Sequence, residues 1–250
     1  MWRIIVNRVK QGFRTSSYPK EPPVFPKRFR GRPVVSDKLG KFPIDWDKDP
    51  LGALVFKGRP GVDMGKMLFN EDIKAVSSEG LLAYSQDHSM AVSNLEDLII
   101  YEDGVRKVGA LNEKMRKIFG RSLKLREVCA GSCNGCDCEI QAMGNVVFDL
   151  SRFGIQFVSS PRHADGLMIT GAVTKNMELA LKKTYEAVAE PKIVIAVGAC
   201  ALSGGPFQGG KEVHNGIGDL IPVDLYIPGC PPHPLTILDG MLRFLGRLEK

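Results

Sequence analysis

The 250-residue chain is 44% hydrophobic and 25% charged. That composition allows a sizeable core, in one large domain or two small ones, and excludes general disorder. Lys and Arg number 34 against 28 Asp and Glu, a formal net charge of +6, but no RNP-type or helix-turn-helix signature accompanies the surplus, so nucleic acid is excluded as a partner.

No apolar run approaches the roughly 18 residues of a membrane helix. The first residues lack the apolar stretch and cleavage site of a secretory signal, and they carry no twin arginine. The expectation is a location on the cytoplasmic side, where thiols stay reduced. Six cysteines then read as metal ligands before disulfides.

In chain order, Trp2, Ile5, Val9 and Phe13 recur at three- to four-residue spacing, with Arg3, Asn7, Lys10 and Arg14 on other faces. The spacing predicts a short basic amphipathic helix, suited to a membrane surface, a partner subunit or its own domain. Tyr18 to Pro33 is Pro-rich and basic, which predicts an extended arm. Residues 1–33 form the first unit on this reading.

Residues 34–120 are expected to form a second, cysteine-free unit. Met67, Asn70, Ile73 and Ser77 stand at the x2, x2, x3 spacing of a bacterial ferredoxin cluster run. With Phe29-Arg-Gly-Arg-Pro33, this region resembles a degenerate ferredoxin-like docking module. Met, Asn, Ile and Ser cannot supply four thiolates, so no cluster is expected there.

From residue 121 the pattern changes. Ile140, Met143, Val147 and Leu150 predict a helix over 137–152. Strands are expected at 154–159, 166–170, 192–197 and 223–227, and helices at 174–189, capped by Thr174, and at 234–248. Strands alternating with helices predict a doubly wound α/β domain with a parallel, flavodoxin-like sheet over 121–250.

Four cysteines lie in Cys129-Ala-Gly-Ser-Cys133-Asn-Gly-Cys136-Asp-Cys138. Cys200 and Cys230 lie far downstream, in Gly198-Ala-Cys200-Ala-Leu-Ser-Gly-Gly205 and Pro228-Gly-Cys230-Pro-Pro232. On the predicted scheme Cys133 and Cys136 precede the first helix of the domain, and Cys200 and Cys230 each follow a strand. Sites in open parallel sheets form at the carboxyl ends of strands, so three stretches are expected to converge on one edge. Thiolates on Gly-rich loops suit an iron–sulfur cluster. Zinc also accepts four thiolates, usually from two compact Cys-x2-Cys knuckles, of which this chain has one. Inert core cysteines are a third reading.

Four stretches together carry a resemblance: Cys133-Asn-Gly-Cys136-Asp-Cys-Glu139, Ser160-Pro-Arg-His-Ala-Asp165 with Thr170-Gly-Ala-Val-Thr174, the Cys200 turn, and Ile221 to Pro232. Over about residues 125 to 250 the chain resembles the small electron-transfer subunit of membrane-bound [NiFe]-hydrogenases of the formate-hydrogenlyase type. It is equally similar to the complex I subunit that holds the last cluster before quinone. The Cys-Asn-Gly-Cys form favours the hydrogenase side.

The resemblance implies one [4Fe-4S] cluster on Cys133, Cys136, Cys200 and Cys230, with Cys129 and Cys138 as bystanders. It makes Glu139, Arg162 and His163 candidates for supporting roles near the cluster or the interface with a partner. It also implies an oxidoreductase component, peripheral on the cytoplasmic side of the cell membrane. Its catalytic centre would lie in a partner large subunit, next to a ferredoxin-type iron–sulfur subunit and membrane subunits. The alternatives are a complex I-like, quinone-linked subunit without hydrogenase activity and a zinc-holding structural or assembly module.

Overall fold

A computed structural model describes residues 2–36, 45–76, 82–104, 108–111, 113–218 and 220–248 of the chain. Helix α1 (Trp2–Gln11) ends at Gly12, whose φ of +62° suits glycine. None of its residues is buried. The Pro-rich run leads to β1 (Pro33–Val35). Strands β2 (Leu54–Phe56), β3 (Pro60–Asp63), β4 (Leu82–Tyr84) and β5 (Ile99–Ile100) follow. They build two small antiparallel sheets, β1-β4 and β2-β3-β5.

Helix α2 (Glu113–Phe119) leads to β6 (Leu123–Cys129), α3 (Gly135–Ala142), β7 (Ile155–Phe157) and β8 (Gly166–Thr170). Then come α4 (Lys175–Ala187), β9 (Ile193–Val197), α5 (Gly198–Ser203), β10 (Leu225–Ile227) and α6 (Pro234–Phe244). Strands β6 to β10 make one sheet in the order β7-β6-β8-β9-β10, with every neighbouring pair parallel. Counted along the chain this is 2-1-3-4-5, the flavodoxin-like doubly wound order. Every residue of β8 and β9 is buried, as parallel strands covered on both faces require.

The two faces carry separate cores. Leu123, Leu125, Met168, Ile195, Val197 and Ile227 pack under α3 and α6. Val128, Leu167, Ile169, Val194 and Ala196 face the other way, against Leu181 of α4 and against Val62, Met64, Leu82 and Leu98 from the cysteine-free region. That region therefore shares a core with the sheet. It also pairs with edge strand β10: Val92 and Tyr226 exchange backbone hydrogen bonds of 3.0 and 2.9 Å.

The helix expected over 137–152 is shorter. It stops at Ala142 because Asn145 turns the chain, its Oδ1 accepting from Val147 N at 2.8 Å and Phe148 N at 3.1 Å. Met143 and Leu150 are still buried, across a turn instead of along a helix. Of the ferredoxin-spaced positions, Met67 and Ile73 are core residues, and Asn70 makes local hydrogen bonds to Asp72 and Ile73. Ser77 lies outside the described residues.

Candidate metal centre

The switch point of a 2-1-3-4-5 sheet lies between its first and third strands, here β6 and β8. The loops leaving these strands press together. Ala130 N donates to Thr170 O at 2.8 Å and Thr174 N to Ala130 O at 2.9 Å. A Cβ on Gly131 would stand 2.5 Å from Thr174 Cγ2, so glycine is what permits the approach. Asn134 then takes φ +70°, a conformation Asn tolerates better than most residues. Its turn starts α3 and sets Cys133 and Cys136 at the sheet edge.

Strand β9 delivers Cys200 in the first turn of α5, and β10 delivers Cys230 in the Pro-flanked turn before α6. The thiols of Cys133, Cys136, Cys200 and Cys230 influence one another electrostatically in every pairing. The packing around them is tight. A Cβ on Gly198 would lie 2.4 Å from Cys136 Sγ, and one on Gly205 would lie 3.0 Å from Cys200 Sγ. Cys136 and Cys200 are buried, Cys230 is half-buried and Cys133 is exposed.

Burial, and then the neighbouring thiols, push Cys136 and Cys230 above the usual thiol range and Cys200 up to about 11. Such thiols are poor nucleophiles at neutral pH. A bound cation reverses that logic, because coordination deprotonates a thiol outright. The donor set and the glycine cradle therefore fit an iron–sulfur cluster. Among the described residues no three or more His, Cys, Asp or Glu converge closely enough to hold one metal ion.

The other two cysteines turn elsewhere. Cys129 Sγ lies 3.2 Å from Ser132 Oγ, and Asn134 Nδ2 donates to Cys138 Sγ at 3.6 Å. Ser132 belongs to a network that sequence reasoning missed. Buried Asp137 accepts from Ser132 Oγ at 2.5 Å and Thr170 Oγ1 at 2.6 Å. Burial raises its pKa, but these bonds, with Cys129 and Glu127 behind them, outweigh burial and hold it below the usual carboxylate range. Glu127 beside it is pushed up to about 7, by burial first and the Asp137 charge second. The Asp137 charge thus favours the protonated form of Glu127. The residue next to Cys136 gave no sign of this in sequence, because its partner Thr170 is distant along the chain.

Glu139 lines a cleft of about 290 Å³ together with Cys230, Arg28, Arg30 and His233. Its carboxyl is raised by burial. His233 caps α6 by accepting from Leu235 N at 3.1 Å, and burial lowers its pKa. Phe25 and Phe29 of the Pro-rich segment stack at 4.0 Å and meet the His233 ring edge-on at 5.2 and 5.6 Å. One wall of the cleft is therefore the arm, which the cysteine pattern did not reveal. Arg162 and His163 are not brought to this site. They lie in the turn Pro161–His163, none of whose residues is buried. The next acid, Asp165, accepts from Lys124 N at 2.7 Å, tying the loop to the amino-terminal end of β6, while the cysteines sit at the carboxyl ends.

A doubly wound sheet with four thiols on the loops at its carboxyl edge defines the class of site, one built to hold a metal group. Sequence comparison carries the assignment to a family. The family described as NADH ubiquinone oxidoreductase, 20 Kd subunit, matches residues 133–244. The chain is 46% identical over 134 residues to "Probable membrane-bound hydrogenase subunit mbhJ" of Pyrococcus furiosus, covering 54% of this chain and 80% of that protein. It is 43% identical over 143 residues to formate hydrogenlyase subunit 7 of Escherichia coli, covering 57% of this chain and 56% of that protein. To an NADH-quinone oxidoreductase subunit of Phocaeicola vulgatus it is 45% identical over 144 residues, covering 57% of this chain and 71% of that protein. The chain belongs to this family and is an oxidoreductase component.

Proposed function

We propose that the chain is the cluster-bearing electron-transfer subunit of a membrane-associated complex of the [NiFe]-hydrogenase type, with one [4Fe-4S] cluster on Cys133, Cys136, Cys200 and Cys230. The observation that carries this is the placement of those four thiols on three loops at the carboxyl edge of one sheet, with Gly198 and Gly205 packed against Cys136 and Cys200 and the other two cysteines engaged elsewhere. Such a cluster supplies one-electron oxidation and reduction, at a potential set by burial and by hydrogen bonds to its sulfurs.

The chain's own residues hold and shield. Gly198 and Gly205 let the backbone close on Cys136 and Cys200. Asp137 fixes the loop between Cys133 and Cys136 through Ser132 and Thr170. The cleft at Cys230, with Glu139, Arg28 and Arg30 at its walls, gives a polar face for the large subunit. Partners are the other subunits of the complex, and the location is peripheral, on the cytoplasmic side.

Metal and sulfide analysis with EPR on anaerobically purified chain tests the reading. About four iron and four sulfide per chain and a reducible signal support it; one zinc without iron sinks it. Cys200→Ala abolishes the normal signal and Cys138→Ala keeps it, whereas equal loss from both overturns the ligand set. A second reading, the quinone-linked subunit, is favoured by the near-equal identity to the NADH-quinone oxidoreductase relative. A co-purifying large subunit without two Cys-x-x-Cys pairs selects that reading.

A further inference from the structure

Helix α1 has no buried residue. Trp2, Ile5, Val6 and Val9 occupy the i, i+3, i+4, i+7 positions of one face. Trp2, Ile5 and Val9 are each at least half exposed, and Phe13 just beyond is more exposed still. Arg3 and Lys10 flank the stripe on one side and Arg8 on the other, Ile4, Asn7 and Gln11 lie opposite it, and residues 2–20 contain no acid. The Arg8 guanidinium lies over the Phe13 ring at 5.1 Å and donates to Gly12 O at 2.9 Å, so a charge sits at the edge of the apolar face.

The apolar surface continues onto the α/β domain. Ser16 N donates to Val147 O at 2.8 Å, which places the segment after α1 beside the turn holding Val146 and Val147. Both valines are exposed. An apolar stripe bordered only by cations, with a Trp at one end and a second apolar tip beside its root, complements a surface that is greasy below and negative above. A groove on a protein would be expected to answer some of these cations with local acids chosen one by one, whereas a bilayer rich in anionic lipid answers all of them at once.

We propose that α1 is an in-plane anchor for an anionic lipid bilayer, with Trp2, Ile5, Val9 and Phe13 seated below the headgroups and Arg3, Arg8, Lys10 and Arg14 among the lipid phosphates. The anchor fixes which side of the subunit faces the membrane. It is independent of the metal at the cysteines.

The full chain carries two tryptophans, Trp2 and Trp46, so Trp46→Phe leaves Trp2 as the only reporter. This chain is mixed with vesicles of pure phosphatidylcholine or of phosphatidylcholine and phosphatidylglycerol. The expected result is a blue shift of Trp2, quenching by brominated lipid and co-sedimentation, all confined to the anionic vesicles and weakened by salt. Arg3→Gln/Arg8→Gln/Lys10→Gln lowers partitioning about fivefold per charge, roughly a hundredfold in all. Ile5→Ser/Val9→Ser lowers it by roughly tenfold or more with the charges intact. Cys200→Ala leaves it unchanged, which separates this test from that of the cluster. Equal binding to neutral vesicles, or binding untouched by both multiple variants, overturns the proposal. So does a Trp2 that ignores lipid and becomes protected only when a partner subunit is added.

Discussion

Gly198 shows how one residue shapes this site. It joins β9 to α5 with φ +87°, and a Cβ there would sit 2.4 Å from Cys136 Sγ. Gly198→Ala therefore adds a left-handed backbone cost of roughly 1–2 kcal/mol and a clash with a buried thiol. The expected outcome is loss of most bound iron, read by iron assay and visible absorbance. Gly209→Ala is the control: its φ is +77°, but nothing lies within 4 Å of its Cβ, so iron is retained. Equal loss from both would assign the effect to the backbone alone. The cysteines and glycines of this edge were legible in the sequence because their chemistry is particular to them. Asp137 was not: an acid in a polar loop looks solvated, and only folding brings Thr170 to it.

At the scale of elements, the Pro-rich arm is tied down by a few specific bonds. Tyr18 OH donates to Asp239 Oδ1 at 2.7 Å, and Asp239 is also held by Arg243 at 2.9 Å. Arg152 donates to Ser16 O and Tyr18 O at 2.7 Å each. At the other end Gly31 and Arg32 bond to the backbone of Ser85 and Asp87. Tyr18→Phe keeps the ring and removes one bond to a charged acceptor, a loss of about 1.5 kcal/mol, the low end for such bonds because Arg243 still serves Asp239. Chemical denaturation measures it, and hydrogen exchange should quicken over residues 18–30. An unchanged midpoint would show that the arm is held by Arg152 and its backbone bonds without help from Tyr18. The buried strands β8 and β9 were legible as continuous apolar runs. Interior strand β6 was missed, because Lys124, Arg126 and Glu127 interrupt its apolar pattern. The helix after Cys136 was overextended, because Met143 and Leu150 keep helical spacing across a turn that Asn145 imposes.

At the scale of the molecule, the cysteine-free region and the cysteine-bearing edge share one core. Leu98 is fully buried in the core that spans both. Its Cδ1 lies against Gly65, next to Leu202 of α5. Gly65 O in turn accepts from Ser203 Oγ at 2.8 Å, at the end of the helix that presents Cys200. Leu98→Ala removes buried methyl groups and leaves a cavity, a cost of about 2–5 kcal/mol. If the region were a separate module, that cost would appear as its own early transition, with the cysteine edge melting as before. A shared core demands the opposite. Far-UV ellipticity and the visible absorbance of the metal-loaded chain should fall together, in one transition shifted to lower denaturant. Two separated transitions would show that the apolar face of the sheet survives without its cover, and that the first hundred residues serve docking alone.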